Sequence, residues 1–244
     1  MNPDLLIALC LLIVAFLYAS VGHGGASGYI AIMSIFNISV DTYKPLVLIL
    51  NIFIAGIAFV QFYRAGYFKW SMCWPFLITS IPFAFLGSKM AVHSDVYNLL
   101  LGIALIFPVI RLLGFNPKEK KEIRSMPVVW ALLIGAFIGF IAGLLNIGGG
   151  IFLSPVLILM AWANAKEAAA ISSLFIVCNS LSGLVASTNL QFSFNTTFYL
   201  WLAAAMAGGI VGSWFGSRNF KLITVQYILA SVLSIACVKL IFLM

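Results

Sequence analysis

The chain has 244 residues, of which 64% are hydrophobic and only 8% charged, with a formal net charge of +7. A soluble domain carries roughly a quarter charged residues, so a water-soluble globular fold is excluded. The composition predicts an all-α polytopic membrane protein of eight to ten short passes, and the sparse, scattered cations give no reason to expect a nucleic-acid partner.

The opening residues Met1-Asn2-Pro3-Asp4 carry no basic charge, so the first apolar run, 5–20, is expected to be a retained helix and not a cleaved signal peptide. It leads into a glycine cluster, Gly22-His23-Gly24-Gly25-Ala26-Ser27-Gly28. Further apolar runs follow at 28–38, 45–63, 71–88 and 96–113. Tyr67, Trp70 and Trp74 stand beside Arg64 and Lys69 as an interfacial aromatic belt would. A basic stretch with Lys118, Lys120, Lys121 and Arg124, interleaved with Glu119 and Glu122, then separates Pro117 from Pro127. Five more runs complete the chain at 128–143, 151–163, 168–187, 198–217 and 222–243. The second of these follows another cluster, Asn146-Ile147-Gly148-Gly149-Gly150, with Pro155 soon after. The expected organisation is a first transmembrane repeat over 1–114, a basic cytoplasmic linker over 115–127 and a second transmembrane repeat over 128–244.

The clusters lie 124 residues apart, and other features recur in the same order. Gly87-Ser88 is echoed by Gly212-Ser213, Gly56 by Gly183, and Arg111-Leu112-Leu113 by Lys239-Leu240-Ile241, all at offsets of 124 to 128 residues. This predicts a duplication with five apolar runs per half. The run at 151–163 has 13 residues, about 20 Å as a helix, against a hydrocarbon core of about 30 Å. The segments opening at the clusters therefore either cross with irregular backbone at depth or turn back. Charge favours crossing. With ten crossings one side carries Arg64, Lys69, Arg111, Lys118, Lys120, Lys121, Arg124, Lys166, Arg218 and Lys221, and the other carries Lys44, Lys89 and Lys239, a split of ten to three. With eight crossings the split is eight to five. The positive-inside bias selects the first count, with both termini outside. Each half then has an odd number of passes, so the halves are inverted, an arrangement suited to alternating access.

Glycine clusters opening short helices point to an anion site. Without Cβ the backbone reaches conformations closed to other residues. The N–H groups of the first helical turn, with the helix dipole behind them, attract negative charge. Gly24, Gly25, Gly148, Gly149 and Gly150 are the candidate backbone donors, and close helix packing is the competing use of the same glycines. His23 is the one ionisable side chain in either cluster. It would serve a substrate as a charge or donor, or carry a proton, or simply satisfy a backbone carbonyl at a helix end. Ser27 adds a hydroxyl. Asn51, Asn146 and Asn179 place amides in or beside apolar runs, where they need partners and would bind substrate or tie helices together. Ser172 and Ser173 are weaker candidates, because serines in helices bond their own backbone.

Asp4, Asp41, Asp95, Glu119, Glu122 and Glu167 all fall at predicted ends or loops, so no mid-membrane carboxylate marks a proton relay. Proton coupling would fall to His23 or to the substrate; facilitated diffusion of an anion is the alternative. His93, beside Lys89 and Asp95, reads as an interfacial loop residue. Cys10, Cys73, Cys178 and Cys237 show no metal-ligand spacing. No nucleophile is paired with a base and Gly148–Gly150 lacks the ending of a phosphate loop, so neither an enzyme nor a cofactor is expected.

The motif Gly143-Leu144-Leu145-Asn146-Ile147-Gly148-Gly149-Gly150, followed by Pro155-Val156-Leu157, Ala168-Ala169-Ala170-Ile171-Ser172-Ser173, Asn179 and Gly208-Gly209-Ile210-Val211-Gly212-Ser213, resembles the sulfite exporter TauE/SafE family of probable membrane transporters. The resemblance covers nearly the whole chain. The first half departs from it, with Gly24-Gly25-Ala26 in place of three glycines, His23 where the second half has Ile147, and no proline equivalent to Pro155. The resemblance implies export or uptake of small sulfur-containing or organic anions such as sulfite, by a multi-pass protein of the cell inner membrane or plasma membrane, with lipid as its surroundings. An anion or small-solute channel is the alternative. Monomer and homodimer both stay open.

Overall fold

A chain in hydrocarbon must satisfy its own backbone hydrogen bonds. The computed structural model does so with helices joined at the glycine clusters by tight turns. It describes residues 3–38, 40–90, 123–187 and 195–218, with scattered positions between 96 and 110 and Ser234. The basic residues Arg111, Lys118, Lys120, Lys121, Lys221 and Lys239, together with His93 and Cys237, lie outside the described residues.

Eight helices can be delimited among the described residues: α1 (Pro3–Ser20), α2 (Ala26–Ile35), α3 (Val40–Arg64), α4 (Trp70–Lys89), α5 (Val128–Leu145), α6 (Gly150–Leu159), α7 (Ala165–Ala186) and α8 (Thr196–Arg218). Six contain segments long and apolar enough to cross a membrane. The short ones, α2 and α6, have ten residues each, about 15 Å or half a hydrocarbon core. The second short run is thus shorter than the expected 151–163: the helix stops at Leu159 because Ala161 takes a left-handed conformation, φ 55°, and closes the turn. Asn37 does the same after α2, also at φ 55°. The start of α7 is fixed by a capping box, in which the Asn164 side chain accepts from the Lys166 and Glu167 amides and Glu167 accepts from the Asn164 amide at 3.0 Å.

The most extensive helix contacts join α4 to α5 and α1 to α8. Both are glycine seams. A Cβ at Gly208, Gly212 or Gly216 of α8 would overlap the carbonyl oxygens of Leu12, Phe16 and Ser20 on α1. Glycines at 135, 139 and 143 of α5 likewise bring that backbone onto Phe76, Ser80 and Ala84 of α4. Contacts ascend together on both chains, so each pair is parallel, and the absence of side chains lets the backbones touch. Between the seams, α3 and α7 form the centre. Their register runs in opposite senses, from Asn51 with Ser180 through Gly56 with Val177 to Phe62 with Ala169, so this pair is antiparallel. The short helices pack on it, α2 against α3 and α6 against α7.

Candidate functional site

The two cluster loops have the same backbone pattern at a constant offset of 124 residues. The Gly22 amide donates to Ala19 at 3.1 Å as Asn146 does to Gly143 at 3.3 Å, and His23 to Tyr18 at 2.9 Å as Ile147 to Ala142 at 3.1 Å. The far ends of the short helices match too, with Ile38 donating to Met33 and Trp162 to Leu157, both at 2.9 Å. Gly25 and Gly149, the residues before α2 and α6, stand at φ 98° and 80°. A side chain is strained in that region, which explains the glycine at these two positions.

The loops meet at Asn51, near the middle of α3 and only 1% exposed. Its Oδ1 accepts from the amide of Ala26, the first residue of α2, at 3.3 Å. Its Nδ2 donates to Ser180 Oγ on α7 at 2.9 Å. A Cβ at Gly24 would overlap Asn51 Oδ1, and one at Gly148 would stand 2.5 Å from Asn51 Nδ2. One amide side chain thus touches the loop of each half. His23 makes the second link: with the proton on Nε2 it donates to the Gly150 carbonyl, 3.2 Å away at the start of α6. This is the carbonyl-satisfying role weighed for it in the sequence, but the carbonyl belongs to the other cluster. Ser27 Oγ pairs with Tyr18 Oη at 2.7 Å.

These groups enclose a cavity of about 10 Å³, lined by Tyr18, His23, Gly24, Asn51, Ile147 and Ile151 among others. That is room for about one water. One wall is polar and largely from the first cluster, and the other is formed by isoleucines of the second half. Asn146 caps α5 in the left-handed region at φ 54° and is buried, but it does not line the cavity, nor does Asn179. Gly148, Gly149 and Gly150 reach the site through their packing on Ile176, Phe175 and Ser180. Ser172 bonds Ser154 at 2.7 Å, and Ser173 bonds the carbonyl of Ala170 in its own helix.

Among the described residues, two buried groups near the clusters have no hydrogen-bond partner. Both amide atoms of Asn179 are unpaired at 2% exposure. Asn179 occupies the same stripe of α7 as Phe175 and Gly183, one turn from each, and Phe175 packs against Gly149. Tyr29 Oη is unpaired as well, and a Cβ at Gly25 would stand 2.7 Å from it. An unpaired polar group in an apolar interior costs on the order of 1–3 kcal/mol, so neither is ordinary packing. Sequence reasoning singled out Asn179 but missed Tyr18, Tyr29 and Ser180. The signal available was spacing: Tyr18 lies four residues before Gly22, and Tyr29 four after Gly25. Among the described residues no group of three or more His, Cys, Asp or Glu side chains could hold a metal.

Residues 7–240 match the family described as sulfite exporter TauE/SafE. A probable membrane transporter protein of Sinorhizobium fredii is 32% identical over 238 residues, covering 96% of each chain. A probable membrane transporter protein of Methanocaldococcus jannaschii is 33% identical over 112 residues, 45% of this chain and 42% of that one. No solved structure matches.

Proposed function

Since the chain belongs to the sulfite exporter TauE/SafE family and is a multi-pass membrane transporter, we propose that it is a secondary exporter of small anions, sulfite or organosulfur and organic anions, bound where the two glycine clusters meet. The observation that carries this reading is the convergence of both clusters on Asn51. Two short helices with their N-termini at one buried polar point offer backbone donors and positive potential to an oxyanion without a buried lysine. His23, Gly24, Gly25 and Ser27 supply the first half of the site. Gly148, Gly149, Gly150 and Asn146 supply the second, with Asn51 and Asn179 from α3 and α7.

The repeats are taken as 1–114 and 128–244, inverted with respect to each other and joined by a basic linker on the cytoplasmic side of the cell inner membrane or plasma membrane. The antiparallel course of α3 and α7, which occupy equivalent places in the two halves, supports inversion, as does the shared backbone pattern of the loops. A site with room for about one water must open to admit a sulfite, as alternating access requires. A negative-inside potential would drive anion exit by about 2.3 kcal/mol per charge per 100 mV; coupling to a proton would place it on His23 or on the substrate.

The test is flux in proteoliposomes across sulfite, sulfate, thiosulfate, sulfoacetate and simple carboxylates. Saturable flux of one or more of them, reduced at least tenfold by His23→Ala, is expected. No flux of any of these anions, or flux indifferent to both His23→Ala and Asn146→Ala, overturns the site. Large, poorly saturable currents would instead favour the channel reading.

A further inference from the structure

At the end of the molecule where α3 and α8 finish and α4 and α7 begin, three charged side chains interlock across the two halves. Lys69 Nζ, in the turn before α4, lies 2.6 Å from Glu167 Oε1 on α7. Lys166 Nζ donates to Tyr67 Oη at 3.2 Å and to the Ser217 carbonyl at 3.1 Å, and sits 5.0 Å from the centre of the Tyr67 ring. The exposed Arg64 and Arg218 stand at the ends of α3 and α8. Glu167 is nearly buried, with 9% of its side chain exposed, whereas Lys69 is half exposed. Directly beneath lies a small apolar layer of Phe62, Ala169 and Ala170, with Tyr67 and Phe68 packed on it. Gly22 rests on the far side of that layer, against the Ala169 carbonyl, and the next residue is His23. One turn of α7 therefore separates the charged group from the first glycine cluster.

Among the described residues Lys166 uses two of its three N–H groups, and the residue next to it in the chain carries the carboxylate that pairs with Lys69. A small oxyanion presents the same oxygen geometry as that carboxylate, and it can compete for the ammonium groups from water. Resting on the transport reading above, we propose that Lys69 and Lys166 form an outer binding site for a small oxyanion, at which Glu167 is the built-in competitor. Arrival of the anion releases Glu167 from Lys69. The anion is then held at the edge of the apolar layer against which Gly22 rests.

Glu167→Gln tests this without unmaking the helix start, because glutamine also completes a capping box. The full chain is reconstituted, and sulfite is offered on the side bearing Lys69 and Lys166. Removing a competing charge at hydrogen-bond range in a partly exposed setting is expected to lower KM about threefold. The double variant Lys69→Gln/Lys166→Gln is expected to raise KM about threefold or more, with kcat within about twofold of wild type in both. KM unchanged in both variants overturns the outer site. If wild-type protein moves no sulfite, the transport reading is what fails, and the outer site is then judged by tryptophan emission during sulfite titration in detergent. Trp70 adjoins Lys69, and Trp214 lies 5.1 Å from the Arg218 guanidinium. A sulfite-dependent change that is stronger in Glu167→Gln and absent in the double variant upholds the site; the same response in all three overturns it.

Discussion

Asn51 and Asn179 are two buried amides with opposite circumstances. Asn51 uses both ends of its side chain, on the α2 amide and on Ser180. Asn51→Leu leaves those two groups without it in an apolar interior, so a loss of about 1–3 kcal/mol in stability is expected, read as a lower thermal midpoint in detergent, together with loss of flux. Asn179 has no partner to lose among the described residues. Asn179→Leu is therefore expected to leave the thermal midpoint unchanged or raise it, because the unpaired amide is replaced by an apolar group of similar size. Flux should still fall about tenfold, a cost of roughly 1.4 kcal/mol in the transport barrier, if the amide is kept for the substrate or for the other conformation. An Asn179→Leu protein with full flux would remove Asn179 from the site.

At the level of helices, glycine serves two different purposes, and space distinguishes them. Gly212 has the Phe16 backbone against it, whereas a Cβ at Gly56, on the same kind of apolar helix, would find its nearest neighbour, a methyl of Val177, 4.0 Å away. Gly212→Ala must push α1 and α8 apart, with an expected cost of about 1–3 kcal/mol. Gly56→Ala fills space within a helix and is expected to stabilise by up to about 1 kcal/mol. Thermal midpoints of the two variants in one detergent decide the matter; equal shifts would mean that the α1–α8 seam is not tightly closed. The contrast also marks where the sequence stops being informative. The clusters were legible because glycine at φ near 80–98° has few substitutes, and Asn51 because an amide in an apolar run needs a partner. Which helices meet was not legible. The spacing of Gly208, Gly212 and Gly216 says that something approaches closely, but only tertiary packing says that it is α1. Ser180 escaped notice because serine hydroxyls in apolar helices ordinarily bond within their own helix, and Tyr18 and Tyr29 because a tyrosine in an apolar run reads first as a packing aromatic.

For the whole molecule, the number of crossings is set by whether α2 and α6 carry the chain to the other side. Each is about half the thickness of a hydrocarbon core, so length alone allows either answer. Helix direction is more discriminating. If the short helices turned back, the first and second halves would have the same sense and α3 would run parallel to α7. They run antiparallel, and α4 runs with α5 as α1 runs with α8. The exposed turn at Gly66, after α3, and the exposed Asn195, before α8, separate the two cases. With ten crossings they lie on opposite sides of the membrane; with eight they share a side. Gly66→Cys and Asn195→Cys, each in a chain whose own four cysteines are replaced, are expected to react with a membrane-impermeant maleimide from opposite sides. Position 66 should be cytoplasmic, because Arg64, Lys69, Arg124, Lys166 and Arg218 flank that end of their helices. Labelling of both positions from one side would leave the halves uninverted, and the two glycine clusters would then have to approach their common point from the same face of the membrane.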